Sequence, residues 1–277
     1  VKEIKSILKE ILQANTTPEV LAWLEEERPL NSAFMLLPRK TGKAIINSTP
    51  EQSQQIAEAI PGFSVVGWTV DRLGRAYLLM NLDPSDKDAY FKSIETLFLA
   101  AEMGEQVALY STLPLLAYPE LWVKRCSEGI RSNIGDVLEA IMYGNPYPSQ
   151  NLDQSAWNQL VLKAFFTDKQ IGKVTGLDAR ANKDLAYILS DYAHERWAAG
   201  REVNPSLWRL VGPFIDEKLF EDIKRLFDDG KLTDRKAGAL AIAASNYPAA
   251  KALLNKYPEL ETAIANKNLS WDTLTGQ

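Results

Sequence analysis

One cysteine and one histidine in 277 residues set the first limits on this chain. A lone thiol, Cys126, cannot close an intramolecular disulfide, and its apolar neighbours suit a small buried hydrophobe better than a reactive group. A lone imidazole, His194, removes zinc-protease chemistry, because His194-Glu195-Arg196-Trp197 is not followed by a second histidine one helical turn on. A Cys–His nucleophile pair would have to join two unrelated regions, and no nucleophile elbow is present. No stretch approaches the roughly 20 uninterrupted apolar residues of a membrane span. Positive charge is not in excess either. Lys and Arg number 31 against 36 Asp and Glu, a net charge of -5, the wrong sign for reading a phosphate backbone. These deficits lead us to expect no catalytic residue, no metal, no cofactor, no nucleic-acid partner and no direct membrane span. The opening VKEIKSILKEILQ intersperses charge with apolar residues and lacks a signal-peptide core, so the expected location is cytoplasmic.

What is present is an ordinary globular composition, 46% hydrophobic and 24% charged, with prolines and glycines scattered rather than gathered in a linker. Helical spacing dominates. Ile4, Leu8, Ile11 and Leu12 mark one amphipathic helix, and Thr17-Pro18 starts the next. A short helix over 32–37 is expected to end at Pro38. Thr49-Pro50-Glu51 opens another, and 67–81 reads as a buried helix, although Phe63 to Trp68 would also suit a strand. Helices over 86–99 and 104–116 should form an antiparallel hairpin. Residues 119–143 read as one long helix closed by the turn Asn145-Pro146-Tyr147-Pro148. Further helices follow from Asp153 to Phe166, over 177–199 with Gly200 as its stop, and from Asn204-Pro205 to Pro213. Beyond Asp216, breaks at Gly230, Asn246-Tyr247-Pro248 and Tyr257-Pro258 divide shorter pieces. The expected fold is all-α, with antiparallel helix hairpins stacked as a solenoid-like (HEAT-like) array in a single compact domain over 1–277.

Candidate sites are few. Thr41-Gly42-Lys43 lacks the upstream glycine and following hydroxyl of a P-loop and reads as a basic turn. Asp228-Asp229 and Asp234 read as a solvated acidic turn. Asp191 and Glu195 share a helix face, a spacing too common to indicate a cation. The long central helix is more informative. Trp122, Cys126, Ile130, Ile134, Val137 and Ile141 form its apolar stripe, while Arg125, Glu128, Ser132, Asp136 and Glu139 fall on another face. That face is either a solvated one held by Arg–Glu pairs or the polar wall of a cleft, with Arg125 or Arg131 gripping an anionic group. Gly129 and Gly135 leave room for close approach. If the array is concave, Trp157, Asn158, Tyr192, His194 and Trp197 would line its hollow beside Arg125, Glu128, Arg131, Ser132 and Asn133. Aromatic walls with a few polar groups describe a small-molecule pocket.

The run from Tyr110 to Pro148, then AWNQLVLKAFF, GLDARANKDLA and SDYAHERWAAGREVNPSLWRLVGPF, resembles the EboA family of metabolite-traffic proteins. The likeness is densest over 102–215 and rests on RSNI, NPYP, WNQ and YAHERW occurring in that order. The resemblance implies a part in bacterial metabolite traffic, alongside other proteins of the same gene cluster that include a membrane prenyltransferase-like component. In cyanobacteria it implies support for export of the scytonemin precursor toward the periplasm. It supplies no catalytic motif to transfer. The reading is therefore a helical protein that binds a small hydrophobic or aromatic metabolite, or a partner that handles one. An enzyme acting on a prenyl or aromatic intermediate and a protein–protein scaffold are the alternatives.

Overall fold

Thr49-Pro50-Glu51-Gln52 starts a helix by satisfying the amides that a helix end leaves open. Thr49 Oγ1 accepts from the Gln52 amide at 3.1 Å, and the Gln52 side chain accepts from the Thr49 amide at 3.0 Å. Asp86 and Asp153 do similar work, accepting from Ala89 N at 2.9 Å and Ala156 N at 2.7 Å. Such starts punctuate a computed structural model that describes residues 2–228 and 230–275. It is all-α. Among the described residues there are eighteen α-helices and four short 3-10 helices, with no strand beyond isolated antiparallel bridges at Ile45–Thr69 and Tyr143–Val174. The stretch from Phe63 to Trp68 therefore forms turns rather than a sheet strand.

The chain divides into two compact units, one containing residues up to 156 together with 173–176, the other 157–172 and 177 onward. The first holds α1 (Lys2–Asn15), α2 (Pro18–Glu25), α3 (Leu30–Thr41), α4 (Pro50–Ala59), α5 (Val70–Met80), α6 (Lys87–Ala100), α7 (Met103–Thr112), α8 (Val123–Ile130), α9 (Gly135–Met142) and α10 (Tyr147–Asn151). Helix α5 is buried nearly all round and packs on α1, α3 and α7, while α7 also packs on α9. Ile4, Leu8, Ile11 and Leu12 of α1 are buried in the same core, with Phe63 and Trp68.

Two expectations need correction here. Helix α3 does not stop at Pro38 but runs through it to Thr41. Proline has no amide to give the Phe34 carbonyl four residues earlier, and buried Arg75 Nε donates to that carbonyl instead, at 2.9 Å. The long helix over 119–143 is three pieces: a 3-10 turn Pro119–Trp122, then α8 and α9. Between them, Arg131 N and Ser132 N tighten onto Glu128 O and Gly129 O, and Ser132 Oγ accepts from Ile134 N at 3.0 Å. The apolar stripe survives the break, with Trp122, Cys126, Ile130, Val137 and Ile141 buried and Ile134 partly so. Gly129 sits where a Cβ would come within 2.6 Å of Tyr110 and Ile141, so close approach by other helices accounts for it. Gly135 is exposed.

The second unit contains α11 (Gln154–Phe166) from Trp157 on, α12 (Lys183–Ala198), α13 (Leu207–Val211), α14 (Glu217–Asp228), α15 (Leu232–Ala243), α16 (Pro248–Leu254), α17 (Pro258–Ala265) and α18 (Trp271–Thr275). The helix expected over 177–199 is shorter, because 177–180 form turns and Asn182, in extended conformation, caps α12 by accepting from Leu185 N at 2.9 Å. Gly200, at φ 66°, follows its end. Helix α15 is the hub, contacting α13, α14, α16, α17 and α18. Its Ala237, Gly238, Ala239 and Ala241 keep the contact surface low. Asp229, one of the acidic-turn residues, lies outside the described residues.

Candidate functional site

The first unit encloses a cleft of about 590 Å³. Its walls come from five stretches far apart in sequence. Lys43 follows the end of α3. Ser64 to Thr69 lead into α5, which adds Asp71 and Arg72. Met103, Gly104 and Val107 start α7, and Asp136, Glu139, Ala140, Tyr143 and Gly144 come from α9 and its exit, with Lys173 beyond. Backbone bonds stitch these stretches together. Ile46 N donates to Trp68 O at 2.9 Å, Val70 N to Ala44 O at 2.9 Å, Ser64 N to Gly144 O at 3.0 Å and Thr175 N to Met142 O at 3.0 Å.

Charge in the cleft is sorted unevenly. Asp71 and Arg75, both buried on α5, form an ion pair at 2.8 Å, and burial lowers the Arg75 pKa against the pull of Asp71. Arg72, the neighbour, is partly buried and packs its guanidinium 4.4 Å above the Trp68 ring. It makes no hydrogen bond or ion pair among the described residues, and its Nε is closed off from solvent without an acceptor. Burial pulls its pKa down to about 10, with the charges of Asp71 and Asp136 acting in the opposite direction. At neutral pH it remains a cation whose Nε is closed off without a protein acceptor. Asp136 is exposed and likewise makes no ion pair or hydrogen bond among the described residues, so Arg72 and Asp136 attract each other without closing a contact. Lys173 lies 5.9 Å from the Tyr143 ring. Val66 and Met103, at 70% and 53% exposure, leave an apolar rim.

The ten residues singled out from the sequence do not line this cleft. Arg125 forks onto Glu95, with Nε at 3.0 Å, and gives Nη1 to Glu128 at 2.8 Å, so its charge is committed within the unit. Those bonds to Glu95 raise its pKa. Arg131 and Asn133 are exposed, and Ser132 holds the α8–α9 break. In the second unit, Trp157 is fully buried under Arg180 at 5.3 Å, and Asn158 exchanges amide hydrogen bonds with Asn182. Tyr192 is partly buried. His194 and Trp197 do come together, their rings stacked at 5.7 Å, with Trp197 stacked in turn on Trp208 and capped by Arg225 at 4.2 Å.

His194 Nε2 hydrogen-bonds Asp222 Oδ1, while Ser190 Oγ donates to Asp222 Oδ2 at 2.6 Å. The hydroxyl is thus tied to the carboxylate and not to the imidazole, which is not the nucleophile–base order of a hydrolytic triad. Among the described residues no group of three or more His, Cys, Asp or Glu is placed to hold a metal ion, and no helix is long and apolar enough to cross a membrane. Sequence reasoning missed Trp68, Arg72 and Lys43 as site residues. The available signal was an arginine inside a helix that otherwise reads as buried.

A family model described as metabolite traffic protein EboA matches residues 4–212. The chain belongs to the EboA family. That span covers the whole cleft, from Lys43 to Lys173. The membership makes the chain a metabolite traffic protein in the family's own description. Neither the curated proteins nor the solved structures contain a match.

Proposed function

We propose that this EboA protein binds a small hydrophobic or aromatic metabolite in the first-unit cleft and carries it, unreacted, between the steps that make it and the steps that move it. The observation that carries this reading is Arg72, a cation held against Trp68 in a cleft of about 590 Å³ with no acceptor of its own. A volume of that size suits a small metabolite. Clefts of this kind shield apolar surface from water, and the family's description supports a role in traffic. In that role the protein would support export of a secondary-metabolite precursor toward the periplasm, with a membrane prenyltransferase-like protein of the same gene cluster as a natural partner.

Gly104 offers a clean test. A Cβ there meets nothing closer than Arg75 Nη1 at 4.0 Å, so Gly104→Trp places an indole in the cleft without a backbone clash. Protein purified from its native cells is denatured and the released small molecules are measured by mass spectrometry, with Leu99→Trp as an exposed-surface control. The expected result is a molecule retained by the wild type and the control and depleted about tenfold, a loss of about 1.4 kcal/mol in binding, in Gly104→Trp. Equal retention by all three proteins, or by none, overturns the reading.

A further inference from the structure

Arg72 and Asp136 face one cleft with opposite charge and do not pair. Two such groups left open to a common space are complementary to one molecule that carries both an acid and a hydrogen-bond donor. From this we infer that the cleft takes an organic carboxylic acid bearing a hydroxyl or N–H group, with a flat or apolar body. The inference rests on the proposed cleft being the binding site, and it names the class of molecule held there.

The acid end belongs at Arg72. A guanidinium matches a carboxylate through two parallel N–H donors, and charge-assisted bonds are the strong ones. Stacking on Trp68 fixes the plane of the guanidinium before any ligand arrives. The donor end belongs at Asp136, whose ionised carboxylate only accepts. The apolar body belongs against Val66 and Met103, which are exposed at the rim of the cleft. Charge balance decides between acids. Lys43, Arg72 and Lys173 line the cleft together with Asp71, Asp136 and Glu139, and Arg75 already neutralises Asp71, which leaves three cations against two carboxylates. A singly charged carboxylate fits that balance, whereas a dianionic phosphate ester would add like charge beside Asp136 and Glu139.

Four probes separate the parts. 3-Phenyllactate carries acid, hydroxyl and ring; 3-phenylpropionate lacks the hydroxyl; methyl 3-phenyllactate lacks the charge; phenyl phosphate replaces the carboxylate. Each is titrated calorimetrically into the wild type, Arg72→Gln, Asp136→Asn and Gly104→Trp, with folding checked by circular dichroism. We expect 3-phenyllactate to bind the wild type with a Kd of about 1 mM or tighter and the other three to bind at least about tenfold more weakly. Arg72→Gln should abolish the advantage of acid over ester. Asp136→Asn should reduce the advantage of phenyllactate over phenylpropionate, and phenylpropionate itself should bind no more weakly, since a like charge has been removed. Gly104→Trp should weaken all four. Equal binding of ester and acid, stronger binding of phenyl phosphate, or no binding of any probe would overturn the ligand class. None of these outcomes changes the small-molecule retention measured with Gly104→Trp, so failure of the class and failure of the binding site are told apart.

Discussion

Cys126 shows how far burial alone determines a side chain's chemistry. It is fully buried on α8, and burial pushes its thiol up to about 12. A reactive thiol needs the thiolate, so the native side chain is inert near neutrality. The sign of the pH effect follows from linkage. The folded pKa lies above the unfolded value, so the thiol's contribution is fully present below an unfolded pKa of about 8.5 and is lost as pH rises toward the folded one. Between pH 8 and pH 10.5 this one group should remove about 2–3 kcal/mol of stability, at roughly 1.4 kcal/mol per unit above the unfolded pKa. Urea unfolding of the wild type and Cys126→Ala at both pH values isolates it. The wild type should lose more stability than the variant, and parallel losses would show that the thiol is not desolvated. Iodoacetamide should label Cys126 in urea and not in buffer.

At the level of elements, prolines and buried polar side chains work in pairs. Pro38 frees the Phe34 carbonyl, which Arg75 takes; Pro114 lies four residues after Tyr110, whose carbonyl accepts from Asn145 Nδ2 at 2.9 Å. Asn145 is 2% exposed and also donates to Ala140 O at 2.9 Å, while its Oδ1 accepts from Tyr147 N at 3.0 Å. The Asn-Pro-Tyr-Pro turn is thus a latch between the ends of α7 and α9. Asn145→Ala leaves the Ala140 carbonyl and the Tyr147 amide without these partners and takes one of two donors from the Tyr110 carbonyl, which keeps Leu113 N, and should cost about 2–4 kcal/mol. Arg131→Ala, in the same stretch but exposed, should stay within about 0.5 kcal/mol. Equal effects in urea unfolding would deny the latch. These pairs also mark what the residues alone reveal. Local signals such as Thr49-Pro50, Asp86 and Asp153 place helix starts well, because a cap is made by neighbours in sequence. The run through Pro38 and the break at 131–134 are not legible in that way. The first depends on Arg75 from another helix, and the second leaves the apolar period intact. The cleft was half legible: Asp136 and Glu139 stood out on a polar face, but Arg72 and Trp68 gain meaning only once α5 and α9 face a common space.

Across the whole molecule, surface charge contributes little to stability among the described residues. Most ion pairs are exposed on at least one side, as with Lys9–Glu25 and Lys231–Glu202, and such pairs weaken with salt and add little. The net charge of -5 is screened by the same salt, which offsets part of that loss. Asp71–Arg75 differs, with side chains only 7% and 4% exposed. Arg75→Met would strand the Asp71 carboxylate and the Phe34 carbonyl, a loss of about 3–5 kcal/mol. Replacing both charges, as Asp71→Leu with Arg75→Met, should recover part of it, since only the carbonyl is then left without a partner. Stability of the wild type should therefore change little between about 0.05 and 0.5 M NaCl, a range that shortens the Debye length well below 10 Å. The Arg75→Met deficit should be the same at both salts, because the pair lies beyond the reach of mobile ions. Urea unfolding of the three proteins at the two salt concentrations measures both. A deficit that shrinks at high salt would mean that the pair is solvated and that α5 is not the closed hub its buried faces describe.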